Sequence, residues 1–96
     1  MTIEEINKKI SEIVKDKKNK LTLNKKYSSG NYHSFILEYL TQKKEECFIT
    51  IEFFKRKDGF VLENVEVNVE NIDSMTNQQK NKLINGFMKW FQSQFK

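Results

Sequence analysis

The stretch that decides the fold is ECFITIEFFKRKDGFVLENVEVNVE, residues 46–70. Val65-Glu66-Val67-Asn68-Val69-Glu70 alternates apolar and polar, the signature of a half-buried strand. Cys47, Ile49, Ile51 and Phe53 alternate in the same way ahead of it. Between them, Lys57-Asp58-Gly59 reads as a three-residue hairpin loop, a type I turn closed by a glycine in the left-handed region. That loop sets Arg56 opposite Phe60, and hence Ile51 opposite Val65, Ile49 opposite Val67 and Cys47 opposite Val69. The deeper pairs are all apolar, so turn chemistry and hydrophobic pattern agree on an antiparallel hairpin with one core face. Its other face is unusual, because Phe48 and Phe54 fall there beside Glu52 and Arg56.

Working upstream, YHSFILEYL places His33, Phe35, Leu37 and Tyr39 on one face and Ile36, Glu38 and Leu40 on the other. The loop to the next strand must be odd in length to keep core residues paired with core residues. A three-residue loop with Leu40 opposite Phe48 meets that requirement. Ser28-Ser29-Gly30-Asn31 is a turn, and Leu21 and Leu23 mark a short lysine-rich edge strand. At the start of the chain, Thr2 and Glu5 form a capping-box pattern, and Ile3, Ile6, Ile10, Ile13 and Val14 follow at helical spacing. This predicts a first helix over Ile3–Lys17. At the other end, Thr76 with Gln79 repeats the capping pattern before a stripe of Leu83, Ile84, Phe87, Met88, Phe91 and Phe95. Gly86 interrupts that helix at a cost of up to ~1 kcal/mol relative to alanine.

The expected fold is therefore α+β: two helices packed on one face of a three- or four-stranded antiparallel sheet, in the order α-(β)-β-β-β-α. Its core comprises Ile10, Ile13, Phe35, Leu37, Ile49, Ile51, Val65, Val67, Leu83, Phe87 and Phe91. With 96 residues, one compact domain over 1–96 is expected. No apolar run approaches the ~18 residues that span a bilayer, so no membrane is expected as a partner. The amphipathic start is unlike a signal peptide, and the single cysteine suits a reducing cytoplasm.

The formal net charge is +4, with sixteen lysines against one arginine, ten asparagines, nine isoleucines, and neither alanine nor proline. That skew is what AT-rich codons produce, so the lysine excess is background rather than message. The element order α-β-β-β-α resembles that of double-stranded RNA-binding domains. In that family the second helix starts with lysine, alanine and glycine, whereas SMTNQQKNK here has neither alanine nor glycine, so the family is not assigned.

No motif fixes a chemistry. His33 and Cys47 fall at opposite ends of adjacent strands, too far apart for a nucleophilic pair. Cys47 reads as a buried structural thiol and His33 as a rim residue. A zinc ligand set and a glycine-rich phosphate loop are both missing, and Glu63, Glu66, Glu70 and Asp73 make no cation cage. Neither enzymatic activity nor a cofactor is expected. What stands out is the second sheet face. A helix is about 10 Å across and strands lie about 4.8 Å apart, so two helices cover about four strands on one side only.

On the uncovered side Ile36, Phe54, Arg56, Phe60 and Leu62 are expected to gather at the Lys57–Gly59 hairpin, forming a site for another protein or a second copy of this chain. The other cover open to it is the Tyr27–Asn31 segment folding over. A small protein-binding domain of this kind matches inhibitors, immunity proteins and adaptors of phage or mobile elements. The alternative is nucleic-acid binding through Lys15, Lys17, Lys18, Lys20, Lys25 and Lys26.

Overall fold

A computed structural model describes residues 1–95. The chain runs as helix α1 (Ile3–Lys15), strands β1 (Leu21–Ser29), β2 (Tyr32–Leu40), β3 (Glu46–Arg56) and β4 (Gly59–Asn68), and helix α2 (Asn77–Gln94). The strands form one antiparallel meander in chain order, and both helices lie on the same side of it.

Both helix starts are made by the residues that predict them. The Thr2 hydroxyl accepts the Glu5 amide at 3.1 Å while the Glu5 carboxylate accepts the Thr2 amide at 3.0 Å. Thr76 and Gln79 repeat this exchange at 3.2 and 2.9 Å. In each case two amides left free by the helix start are satisfied. Helix α1 stops at Lys15 rather than Lys17, because Asp16 leaves the helix and its carboxylate caps a 3-10 turn over Lys17–Asn19. Lys20 then adopts a left-handed conformation that turns the chain into β1.

The expected core is in place. Ile10, Ile13, Phe35, Leu37, Ile49, Ile51, Val65 and Phe91 are buried, and Val67, Leu83 and Phe87 pack half-buried against them. Ile72, in the connection between β4 and α2, is fully buried as well. The connection is held by Glu45, whose carboxylate accepts the Asp73 amide at 2.7 Å, the Ser74 amide at 3.2 Å and the Ser74 hydroxyl. Those bonds hold the Glu45 carboxyl below its ordinary value, the Ser74 hydroxyl contributing most.

The pairs Ile51–Val65 and Ile49–Val67 form as the pattern requires, but the turn beyond them differs. Arg56 faces Gly59 across a two-residue loop, and the extra residue sits in β4 as a bulge at Glu63. The displacement exchanges the faces of the whole hairpin tip. Phe60 and Leu62 turn toward the helices, where Phe60 is buried and Leu62 lies opposite Phe53, while Val61 moves to the open face. Two large apolar side chains leave water at the expense of one valine, and that difference in buried area favours the bulge. Arg56 reinforces it by pairing with the bulged Glu63, its Nε donating to Oε1 at 2.9 Å.

The β2–β3 loop is three residues long as expected, but it starts one position earlier. Thr41 and Glu45 close it around Gln42–Lys44, with Lys44 left-handed at φ 61°. Leu40 therefore lies opposite Glu46, and Glu38 opposite Phe48, a slip of two that preserves both faces. The slip also pairs Glu45 with Thr41, whose amide donates to the Glu45 carbonyl at 3.0 Å and whose hydroxyl accepts the Glu45 amide at 3.0 Å. His33 is also buried rather than at the rim: α1 crosses over it, and its Nε2 lies 3.2 Å from the Asn7 side-chain oxygen.

Candidate protein-interaction surface

The face of the sheet away from the helices has no cover among the described residues, and β1 explains why the Tyr27–Asn31 segment supplies none. That segment does not fold back. It continues the edge strand to Ser29 and turns through Gly30, at φ 55°, directly into β2. A bulge between Leu23 and Lys25 shifts the phase of β1, so Leu21 points to the core and Tyr27 to the open face.

The open face can be read in rows running across the strands. The row nearest the two hairpin tips holds Tyr32, Phe54 and Val61, with Tyr27 beside it from the next row. Tyr27 and Tyr32 stand 5.9 Å apart between ring centroids, and Tyr32 and Phe54 5.1 Å, both pairs tilted. The Arg56 guanidinium lies 5.9 Å from the Phe54 ring centre, a cation–π distance. These contacts hold the rings as one ledge that is only partly buried: Tyr27 is 57% exposed and Val61 41%, while Tyr32 and Phe54 are half-buried.

Below the ledge the face is acidic. Glu52 sits opposite Ser34 and Asn64; it accepts the Asn64 amide at 2.7 Å and the Tyr32 hydroxyl. These two bonds hold its carboxyl below the ordinary value, and the bond to Glu52 pushes the Tyr32 phenol up. Glu52 thereby fixes the ring at the centre of the ledge. Glu38, Glu46 and Glu66 lie further along the same face, with Ile36 and Phe48 between them.

Of the residues expected here, the structure brings Phe54 and Arg56 together. Ile36 shares the face but lies opposite Thr50, four residues along β3 from Phe54, or roughly 13 Å. Phe60 and Leu62 are on the helix side and are withdrawn from the surface. Their place is taken by Tyr27, Tyr32 and Val61. The signal for this exchange was present in the sequence. Phe60-x-Leu62 and Val65-x-Val67 are out of phase by one residue, and a phase break across Glu63-Asn64 is what a bulge writes into a strand.

The six lysines do not form one patch. Lys15, Lys17, Lys18 and Lys20 surround the end of α1, whereas Lys25 and Lys26 point to opposite faces of β1, paired with Ile36 and Phe35. Cys47 is buried beneath the helices, and burial pushes its thiol up to about 11, far from a reactive thiolate. His33 lies opposite Phe53 and Cys47 opposite Tyr39, so the two are roughly 20 Å apart along the sheet. Among the described residues no helix is long and apolar enough to cross a membrane. Comparison with protein-family models, curated proteins and solved structures finds no match to this chain.

Proposed function

We propose that this chain is a non-enzymatic protein-binding domain that works in the cytoplasm and docks its partner on the open face of the sheet. The observation that carries this reading is the aromatic ledge of Tyr27, Tyr32 and Phe54, held ring to ring with Arg56 over one end. Tyrosine, phenylalanine and arginine are enriched where protein interfaces concentrate their binding energy. Contiguous exposed apolar surface on the order of a few hundred Å² is the size at which a patch on a monomer becomes functional. The glutamates beyond the ledge give the partner a stated character: an apolar patch bordered by lysine or arginine. A second copy of the same face would bring Glu38, Glu52 and Glu66 toward their own kind, so a different protein fits better than a homodimer. An inhibitor, immunity protein or adaptor carried by a phage or mobile element is the kind of protein this describes.

The test is affinity capture with the purified chain, followed by reconstitution of the complex from two purified components. Phe54→Ser combined with Tyr27→Ser should abolish the reconstituted complex and leave the fold intact by circular dichroism. Retention of the complex by the folded double variant would remove the open face from consideration. Sedimentation velocity at two concentrations separates the homodimer, which would show a concentration-dependent mass lost in the same variant.

A further inference from the structure

On the helix side of the sheet, a groove of about 340 Å³ runs between the 3-10 turn and α2. It is floored by Leu21, Leu83, Phe87 and Trp90 and rimmed by Lys18 and Lys82. Its volume is at the lower end of the range in which concave sites hold a ligand. Its banks are basic. The number of lysines follows from the composition of the chain, but their placement here is local: Lys15–Lys20 contains four lysines against Asp16, and α2 carries Lys80, Lys82 and Lys89 without one acid. Among the described residues the one ion pair is Arg56–Glu63, so these lysines are left without acidic partners.

Gly86 lines the same groove, and it is the glycine that no backbone conformation or close contact among the described residues requires. Gly30 and Gly59 both sit at positive φ in hairpins. Gly86 lies inside α2, where glycine is a poor helix former, and a Cβ built on it would meet nothing within 4 Å. Close packing does not require it. A larger side chain here would project into the groove.

We infer that this groove binds an acidic, amphipathic segment of a partner protein. An apolar side chain of that segment rests on the Leu83, Phe87 and Trp90 floor, and carboxylates on either side of it meet Lys18 and Lys82. Charge complementarity selects the acid, and the floor selects the apolar anchor. A nucleobase is the poorer occupant despite the lysines. Leu21, Leu83 and Phe87 offer a base no hydrogen-bonding partner, and the Asn19 side-chain amide already donates to the Ile13 carbonyl at 2.9 Å. A base buried there would leave its polar edge unpaired. The site lies across the sheet from the aromatic ledge, so the two surfaces are separable by mutation.

The experiment is a selection of random short peptides displayed against the full chain, counter-selected on Gly86→Leu. Leucine at this position extends into the groove from a helix that gains propensity, so this variant should melt at or above the wild-type temperature. Enriched peptides should carry a large apolar residue among aspartates and glutamates. Their binding should shift the emission of Trp90, the one tryptophan of the chain. It should weaken several-fold in Lys18→Gln and Lys82→Gln, weaken with added salt, and be lost in Gly86→Leu. Phe54→Ser with Tyr27→Ser, which removes the ledge, should leave it unchanged. Failure to enrich any peptide over the counter-selection, enrichment of neutral or basic peptides, or equal binding by folded Gly86→Leu would each overturn the assignment. So would an oligonucleotide that displaces the selected peptides and itself moves the Trp90 emission.

Discussion

The two faces of this sheet are made by the same strands, with neighbouring residues pointing to opposite sides, yet they are built on different terms. On the helix side Phe35, Leu37, Ile49, Ile51 and Phe53 are excluded from water, and even His33 is enclosed. On the open side Tyr32 meets both Tyr27 and Phe54, yet Tyr27 stays exposed and the other two rings only half-buried, and glutamates occupy positions that a core would not tolerate. The first face is organised by area removed from water, the second by contacts that orient side chains while leaving them available. The difference shows that aromatic content by itself does not mark a core; what covers the rings does.

Phe53 carries the largest expected difference between the two faces. Truncation of this fully buried ring to alanine should cost about 3–5 kcal/mol in chemical denaturation, because the surrounding side chains cannot collapse into the space. A cost below 1 kcal/mol would mean the covered face is not closed.

Next in size is a matched pair of glycine substitutions. At Gly59, φ is 114° and an added Cβ would lie 2.8 Å from the Met1 carbonyl oxygen, which accepts the Phe60 amide. Gly59→Ala should therefore destabilise by about 1–3 kcal/mol. Gly86→Ala should act in the opposite direction, stabilising by up to about 1 kcal/mol, since its helix has room for the methyl group. Thermal melts of the two variants side by side decide this.

The bulge at Glu63 is tested by neighbours. Leu62→Thr places a hydroxyl against Phe53 and should cost about 1–2 kcal/mol. Val61→Thr, on the open face, should stay within about 0.5 kcal/mol of wild type. Equal or reversed costs would restore the unbulged register, in which Val61 faces the core and Leu62 faces solvent.

The gentlest probe is pH. Burial, and then the charge of Lys26, hold the His33 imidazole below its ordinary value of 6.5. The unfolded chain therefore takes up the proton first as pH falls. Stability contributed by neutral His33 is complete above 6.5 and declines as pH drops from there toward the lowered folded value. His33→Leu should flatten the melting temperature across that window. Any loss below 4.5 should persist, because Glu45 and Glu52 are held low by their hydrogen bonds and lose that stabilisation only when protonated.

Local chemistry was legible residue by residue. Thr2 with Glu5 and Thr76 with Gln79 start the helices, since a cap needs only neighbours in sequence. The alternation through Ile49-x-Ile51 and Val65-x-Val67 defines one face, and both pairs form. Of the candidate surface, Phe54 and Arg56 were found for the same reason: they lie on the hairpin whose pattern is clearest. What could not be read locally depended on competition between distant groups. The extra residue of the β3–β4 hairpin goes to Glu63 because the helix side offers Phe60 and Leu62 shelter from water. Lysine-rich β1 runs nine residues, most of them exposed, because β2 presents its edge, not because β1 carries an apolar stripe. His33 becomes core because α1, anchored elsewhere, passes over it and brings Asn7 to its ring. Sequence alone determines periodicity and caps, which act over a turn or a pleat. Which side of the sheet is closed at the hairpin tip, and so which rings remain on the open face, is decided only when the helices settle, because burial is a property of the assembled layers.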